Sequence, residues 1–351
     1  MPVKALSAPA ITDDERAQLV TDLMALRKPQ ICNFLVRSRL AKTGSKEVMR
    51  TRIEEALNDN DLSPTQIVQF LDEVVPWGKQ HVLLFKGPKG SIADWKSIEW
   101  LADHLKQHRL MKYLNATLPL ALPEKMKISS IRQDRSRLRI MAVKRRDWWE
   151  RASEYDDTSV TREGEDVMRR AFVHRINRSL VAFEWDLTAN TAMLQISELP
   201  TGTKYEQVAH EFFELIKKWF NINLFQLLEL SPAIKRLHEL EEAKTGEVRS
   251  HGIDYRTLEG RRFTGQSASS GDSLLGEAET DAALAAIRSS GIGHIGNFYW
   301  LPREEGSPTV DGLDAEVHAI ILASNNRISF TTPNGEGPIR YVLSRIRRHC
   351  A

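Results

Sequence analysis

The segment Leu26–Leu57, LRKPQICNFLVRSRLAKTGSKEVMRTRIEEAL, constrains the fold more than any other stretch of the chain. Ile31, Phe34, Leu35 and Val36 cluster at helical spacing behind Pro29, a residue suited to a first helical turn because the N–H there has no partner. Val48, Met49, Ile53, Ala56 and Leu57 repeat the pattern after Gly44. The spacing predicts two short amphipathic helices joined by a glycine turn. About 30 residues bury only a small core, so such a hairpin leans on its neighbours.

The polar positions of this hairpin are almost all cationic. Arg27, Lys28, Arg37, Arg39, Lys42, Lys46, Arg50 and Arg52 stand against one acid, Glu47, between Leu26 and Arg52. So dense a cationic face suits phosphate binding. The plainer reading is a solvated basic face, or one that docks on the body or on an acidic partner.

The segment resembles the SAP motif, a small helical DNA-binding hairpin of chromosomal proteins. Leu26, Ile31, Leu35 and Leu40 fall on the family's apolar positions, Gly44 on its turn glycine and Lys46 on its lysine. Met49, Ile53 and Leu57 match the core of the second helix, and Arg52 the basic residue before the last apolar pair. Lys28, Arg39 and Arg50 depart from the pattern, each adding positive charge. The resemblance spans about a tenth of the chain. It implies sequence-tolerant binding of duplex DNA through the second helix and the turn before it. The charge pattern makes Arg37, Arg39, Lys42, Gly44, Lys46, Arg50 and Arg52 the expected contacting residues. No family resemblance is evident over the remainder.

A second basic run, from Arg132 to Arg151, interleaves Arg135, Arg137, Arg139, Lys144, Arg145 and Arg146 with Trp148 and Trp149. Cations with aromatics suit nucleic acid, since rings stack on bases. Equally, basic residues guard a hairpin edge while both Trp lie in the core. The net charge of the 351 residues is only +2, so anion binding must come from such patches.

Composition, 41% hydrophobic and 27% charged, is that of a globular protein. The two cysteines permit no disulfide framework or zinc spacing; Cys32 reads as a small buried side chain and Cys350 as exposed. Without a signal-like leader or an apolar membrane span, the expected location is cytoplasmic or nucleoid-associated (nuclear in a eukaryote), not secreted and not membrane-bound.

The expected fold class is α+β: a small helical unit at 1–75, then antiparallel meanders with helix layers. Residues 76–243 read as one α+β domain. Residues 244–351 read as another, or as the second half of the same body, with a Gly/Ser-rich linker at 264–276. Thr12 with Glu15, Ser63 with Gln66 and Thr203 with Glu206 are spaced as capping boxes. Ser91 can cap a helix running to about 108, and residues 126–144 read as a hairpin. Residues 145–155 read as helix, and 171–176, 180–187 and 192–199 as three strands with a turn at Asn177. Helix is expected at 224–243, broken near Pro232, at 277–289 and at 339–349. Strands are expected at 297–301, 317–323 and 327–332, the last two joined at Asn325-Asn326.

Signals for catalysis or a cofactor are weak. Gly291, Gly293 and Gly296 spell GxGxxG, but a helix precedes and a strand follows, the reverse of a dinucleotide site. Gly87–Ser91 lacks P-loop spacing, and His174 and His210 have no HxxxH partner. Glu184 and Asp186, two apart on a strand, share a face and can hold a nuclease metal, though the facing stretch 191–197 supplies no lysine. The sequence thus points to a DNA-binding protein with no cofactor. The alternatives are a metal-dependent nucleic-acid enzyme delivered by the hairpin, and an adaptor binding protein on an open sheet face.

Overall fold

The computed structural model describes residues 12–90, 92–134, 136–160, 163–302 and 313–350. Four helices come first: α1 (Asp13–Met24), α2 (Lys28–Arg37), α3 (Lys46–Asn58) and α4 (Pro64–Val74). The capping boxes at Thr12/Glu15 and Ser63/Gln66 form as the spacing predicts, satisfying the first free N–H groups of α1 and α4.

The body follows. It contains β1 (Gln80–Lys86), α5 (Ile98–Gln107), β2 (Lys127–Gln133), β3 (Arg137–Arg151), β4 (Asp157–Val160), β5 (Asp166–Arg169), β6 (Phe172–Asp186), β7 (Thr191–Ser197) and α6 (Tyr205–Ile216). Then come β8 (Gln226–Leu227), α7 (Ser231–Glu242), β9 (Val248–Arg256), β10 (Arg262–Gln266), α8 (Ala278–Ser290), β11 (Ile292–Trp300), β12 (Val317–Leu322), β13 (Arg327–Phe330) and α9 (Glu336–Arg348). The fold is α+β. Among the described residues one antiparallel sheet orders its strands β10-β9-β11-β12-β13-β1-β7-β6-β3-β2, with β8 also on β1. Pairing of β1 with both β13 and β7 joins the early and late strands into one surface.

Helices cover this sheet on both faces, not on one. Register puts Leu138, Ile140, Phe183, Trp185 and Leu194 on a face packed by α5 and α6. The opposite face carries Met141, Val143, Leu180 and Ala182, which share a core with α1–α4. Farther along that same face, Val82, Leu84, Phe298, Trp300, Ile321 and Phe330 pack on α7 and α9. Gly293 and Gly296 let α7 lie close on β11: a Cβ at either would come within 2.8 or 3.1 Å of the Ile234 methyl. These glycines are therefore packing residues inside a strand, and Gly291 alone caps α8.

Several expected elements differ. Residues 145–151 are strand, because Trp148 and Trp149 pair with Arg175 and His174 of β6; cross-strand pairing overrides local helical propensity. Asn177 makes no turn; it pairs with Arg146 inside a continuous β6. Both strands outrun their neighbours β2 and β7 as a ribbon that exposes Trp149 (67%) and Phe172 (50%), so Trp149 is not core. The first residues of the expected linker belong to β10, paired with the unforeseen β9. The run 224–243 is helical only as α7, and α6 starts after Lys204 without a side-chain cap; Glu206 instead accepts from Asn325. Cys350 is half-buried against the α7/α9 core, and burial pushes its thiol up to about 11. Ser91 lies outside the described residues.

Candidate nucleic-acid interface

The helical hairpin forms where its apolar spacing puts it. Ile31, Phe34, Leu35, Met49, Ile53, Ala56 and Leu57 are buried, whereas Val36 and Val48 stay exposed on the outer side. Between the helices Arg39 takes φ 59° and Gly44 φ 115°. A Cβ on Gly44 would also lie 2.9 Å from Val48, so the tight turn demands glycine there twice over.

Basic side chains of the hairpin divide into two groups. The first is spent on the protein itself. Lys46 donates from Nζ to the Met24 and Leu26 carbonyls at 3.0 and 2.7 Å, satisfying the C-terminal end of α1. Arg52 donates to the carbonyls of Ala41 and Thr43 and so pins the turn. Arg37 pairs with Glu73 at 2.6 Å, and Arg50 lies 3.5 Å from Glu54 on its own helix. The second group is Arg27, Lys28, Arg39 and Lys42, all exposed and none with an ion pair among the described residues. Arg27 and Lys28 stand at the start of α2, whereas Arg39 and Lys42 lie on the pinned turn.

The N-terminus of α3 is already occupied. Ser45 accepts from Val48 N–H, and the Glu47 carboxylate is held below its usual range by the Ser45 hydroxyl and then by its own N–H. An incoming phosphate would therefore find the Val48 and Glu47 amides already engaged. Lys46→Met is expected to lower stability by about 1.5–3 kcal/mol by stripping charge-assisted bonds from two carbonyls, read as a shifted urea midpoint at unchanged slope.

The second basic run does not make a stripe. Alternation along β3 sends Arg137, Arg139 and Arg145 to one face and Lys144 and Arg146 to the other. Lys144 binds both carboxylate oxygens of Glu211 at 2.7 and 2.9 Å, and Arg146 lies 3.8 Å from the same group. Arg145 meets Asp147 at 3.1 Å. Arg137 lies 3.7 Å from Glu336, and Arg139 4.0 Å from Glu184 and over the Trp77 ring. Arg135 lies outside the described residues. Each of the others thus faces a carboxylate, the arrangement of a structural charge network.

No protein-family model and no curated protein sequence matches this chain.

Glu184 and Asp186 do share a face, but both are engaged. Arg340 of α9 grips both oxygens of Glu184 at 2.6 and 2.9 Å. Asp186 accepts the N–H groups of Thr188 and Ala189, tightening the β6–β7 turn. Sequence reading missed Arg340 as the partner of Glu184, since 156 residues separate them. Its only signal was the basic C-terminal helix.

Proposed function

We propose that this chain binds duplex DNA without strong sequence preference, through phosphate contacts made by the turn between α2 and α3. One observation carries the reading: Arg39 and Lys42 project, without ion pairs among the described residues, from a turn that Gly44 and Arg52 hold rigid. Preorganised cations bind phosphate at less entropic cost than mobile ones. The resemblance of this segment to the SAP motif supports the same reading. Arg50 is half-buried and lies on the flank of the turn, where it adds to the local positive field. Lys46, Arg52 and Arg37 act from behind as positioning residues.

The test is binding of the full chain to duplex oligonucleotides of differing sequence across a salt series. Arg39→Asn with Lys42→Gln keeps the backbone geometry, because Asn tolerates positive φ. The pair should weaken binding about equally for all sequences and reduce the salt slope by about 2, one per lost phosphate contact. Unchanged affinity in this variant, or no binding by the parent, would end the reading. Point substitutions are needed because removing residues 1–75 would bare Met141, Val143, Leu180 and Ala182 of the sheet.

A further inference from the structure

A cavity of about 340 Å³ lies between α9 and the faces of β3, β6 and β7, outside the hairpin. That volume falls at the small end of small-molecule sites, about 300–1,000 Å³. Its helix wall is Arg340, Leu343, Ser344 and Arg347, at the i, i+3, i+4, i+7 spacing of one helical face. Its sheet wall includes Arg137, Glu184, Asp186 and Thr191, which register aligns on one side.

The charges in this cavity are unevenly satisfied. Arg340 is saturated by Glu184 and Glu336. Asp186 accepts two turn amides on Oδ1. Arg347 is different. One Nη donates to the Ala192 carbonyl at 2.7 Å, while its Nε is buried with no partner among the described residues. No carboxylate among the described residues lies within 4.0 Å of it. Burial draws its guanidinium down to about 10, against the opposing pull of Asp186, Glu184 and Cys350 and with the help of Arg340. Arg137, opposite, has its nearest carboxylate at 3.7 Å, beyond hydrogen-bond reach. A desolvated guanidinium with an orphaned donor is costly unless an anion completes it.

We propose that this cavity binds a phosphate group, held between Arg347 on the helix wall and Arg137 on the sheet wall, with the Thr191 hydroxyl beside them. Donors on two facing walls suit a tetrahedral oxyanion with several acceptor oxygens better than a planar carboxylate. This inference does not depend on DNA binding by the hairpin. Its phosphate can come from a free small molecule or from a nucleic-acid backbone.

The test is calorimetric titration of the full chain with inorganic phosphate, against chloride at matched ionic strength, alongside binding to a duplex oligonucleotide. Saturable phosphate binding is expected. Arg347→Gln should weaken it about tenfold or more, the loss of a charge-assisted bond. Arg347 also holds the Ala192 carbonyl, so Arg137→Gln is the second variant. Arg137 makes no side-chain hydrogen bond among the described residues, and its loss should weaken phosphate binding while leaving the unfolding midpoint in place. If both variants lose phosphate but keep DNA, the site takes a free phosphate. If phosphate competes with DNA and both variants lose both, the phosphate is that of the backbone. No saturable binding, an equal effect from chloride, or binding that survives both substitutions overturns the proposal.

Discussion

Arg178→Ala is expected to destabilise the folded chain by about 3–5 kcal/mol, the cost of breaking a buried ion pair from one side. Arg178 on β6 is only 3% exposed and its partner Asp22 on α1 only 6%. Nε meets the Asp22 carboxylate at 3.0 Å, and the two Nη groups donate to the carbonyls of Pro119 and Leu120 at 2.7 and 3.3 Å. One guanidinium therefore ties the helical unit, the sheet and the segment before β2 together. Asp22→Asn should cost less, because it leaves Arg178 its two carbonyls and keeps a hydrogen-bonding group in place. Burial already pushes the Asp22 carboxyl up, and Arg178 pulls it back only in part. Without the arginine it rises further, so the folded state holds the proton more tightly than the unfolded one. Stability then falls as pH rises from about 4, the ordinary carboxyl value, through the raised one. The deficit of Arg178→Ala relative to the parent should shrink on acidification. Urea unfolding at several pH values measures it, and a deficit below about 1 kcal/mol at neutral pH would mean the pair contributes little.

Local signals carried the sequence reading as far as local physics reaches. Thr12 with Glu15, Ser63 with Gln66 and the Gly44 turn are contacts within four residues, and they form as written. The hairpin core from Ile31 to Leu57 follows from spacing alone. Strand 145–151 was illegible because RRDWWER has no period-two alternation of its own; β6 supplies the pairing. β9 was hidden for a similar reason: VRSHGIDYR mixes charge and glycine, and its buried Asp254 finds its partner in Arg262 of β10, at 2.9 Å.

Charge was the least legible property. The sequence shows basic runs, but not which of their members are spent. Lys46 and Arg52 look like phosphate ligands until the carbonyls of Met24, Leu26, Ala41 and Thr43 are seen around them. Arg139 and Lys144 look alike in a run, yet one packs on Trp77 beside Glu184 and the other clamps Glu211 on α6. Arg347 looks like a solvated tail and is a desolvated cation. Carbonyls decide the case of Lys46 and Arg52, and acids distant in sequence that of Arg139 and Lys144, so a cationic count overstates the binding surface. The hairpin keeps Arg39 and Lys42 unpaired on its projecting turn, and Arg27 and Lys28 unpaired at the start of α2, among the described residues.

The pH dependence of stability should carry the signature of His238. It is buried on α7, its Nδ1 lies 3.0 Å from the Tyr255 hydroxyl, its ring packs near Phe298, and its Nε2 has no partner among the described residues. Burial lowers its pKa to about 3, with Arg288 nearby adding to the shift. The folded state therefore keeps the ring neutral while the unfolded chain takes a proton below about 6.5. More protons bind the unfolded state, so this contribution is full above that pH and is lost as pH falls toward 3, by about 1.4 kcal/mol per unit. His238→Gln keeps a hydrogen-bonding side chain facing Tyr255 but cannot titrate. Subtracting its unfolding free energy from the parent's cancels the carboxylates and His81, which burial likewise lowers to about 4. The difference should be flat from pH 8 to about 6.5 and then slope steadily downward to about pH 4. A difference that stays constant across that range would show that His238 takes up its proton in the folded state, and that the α7–β9 core admits solvent to the ring.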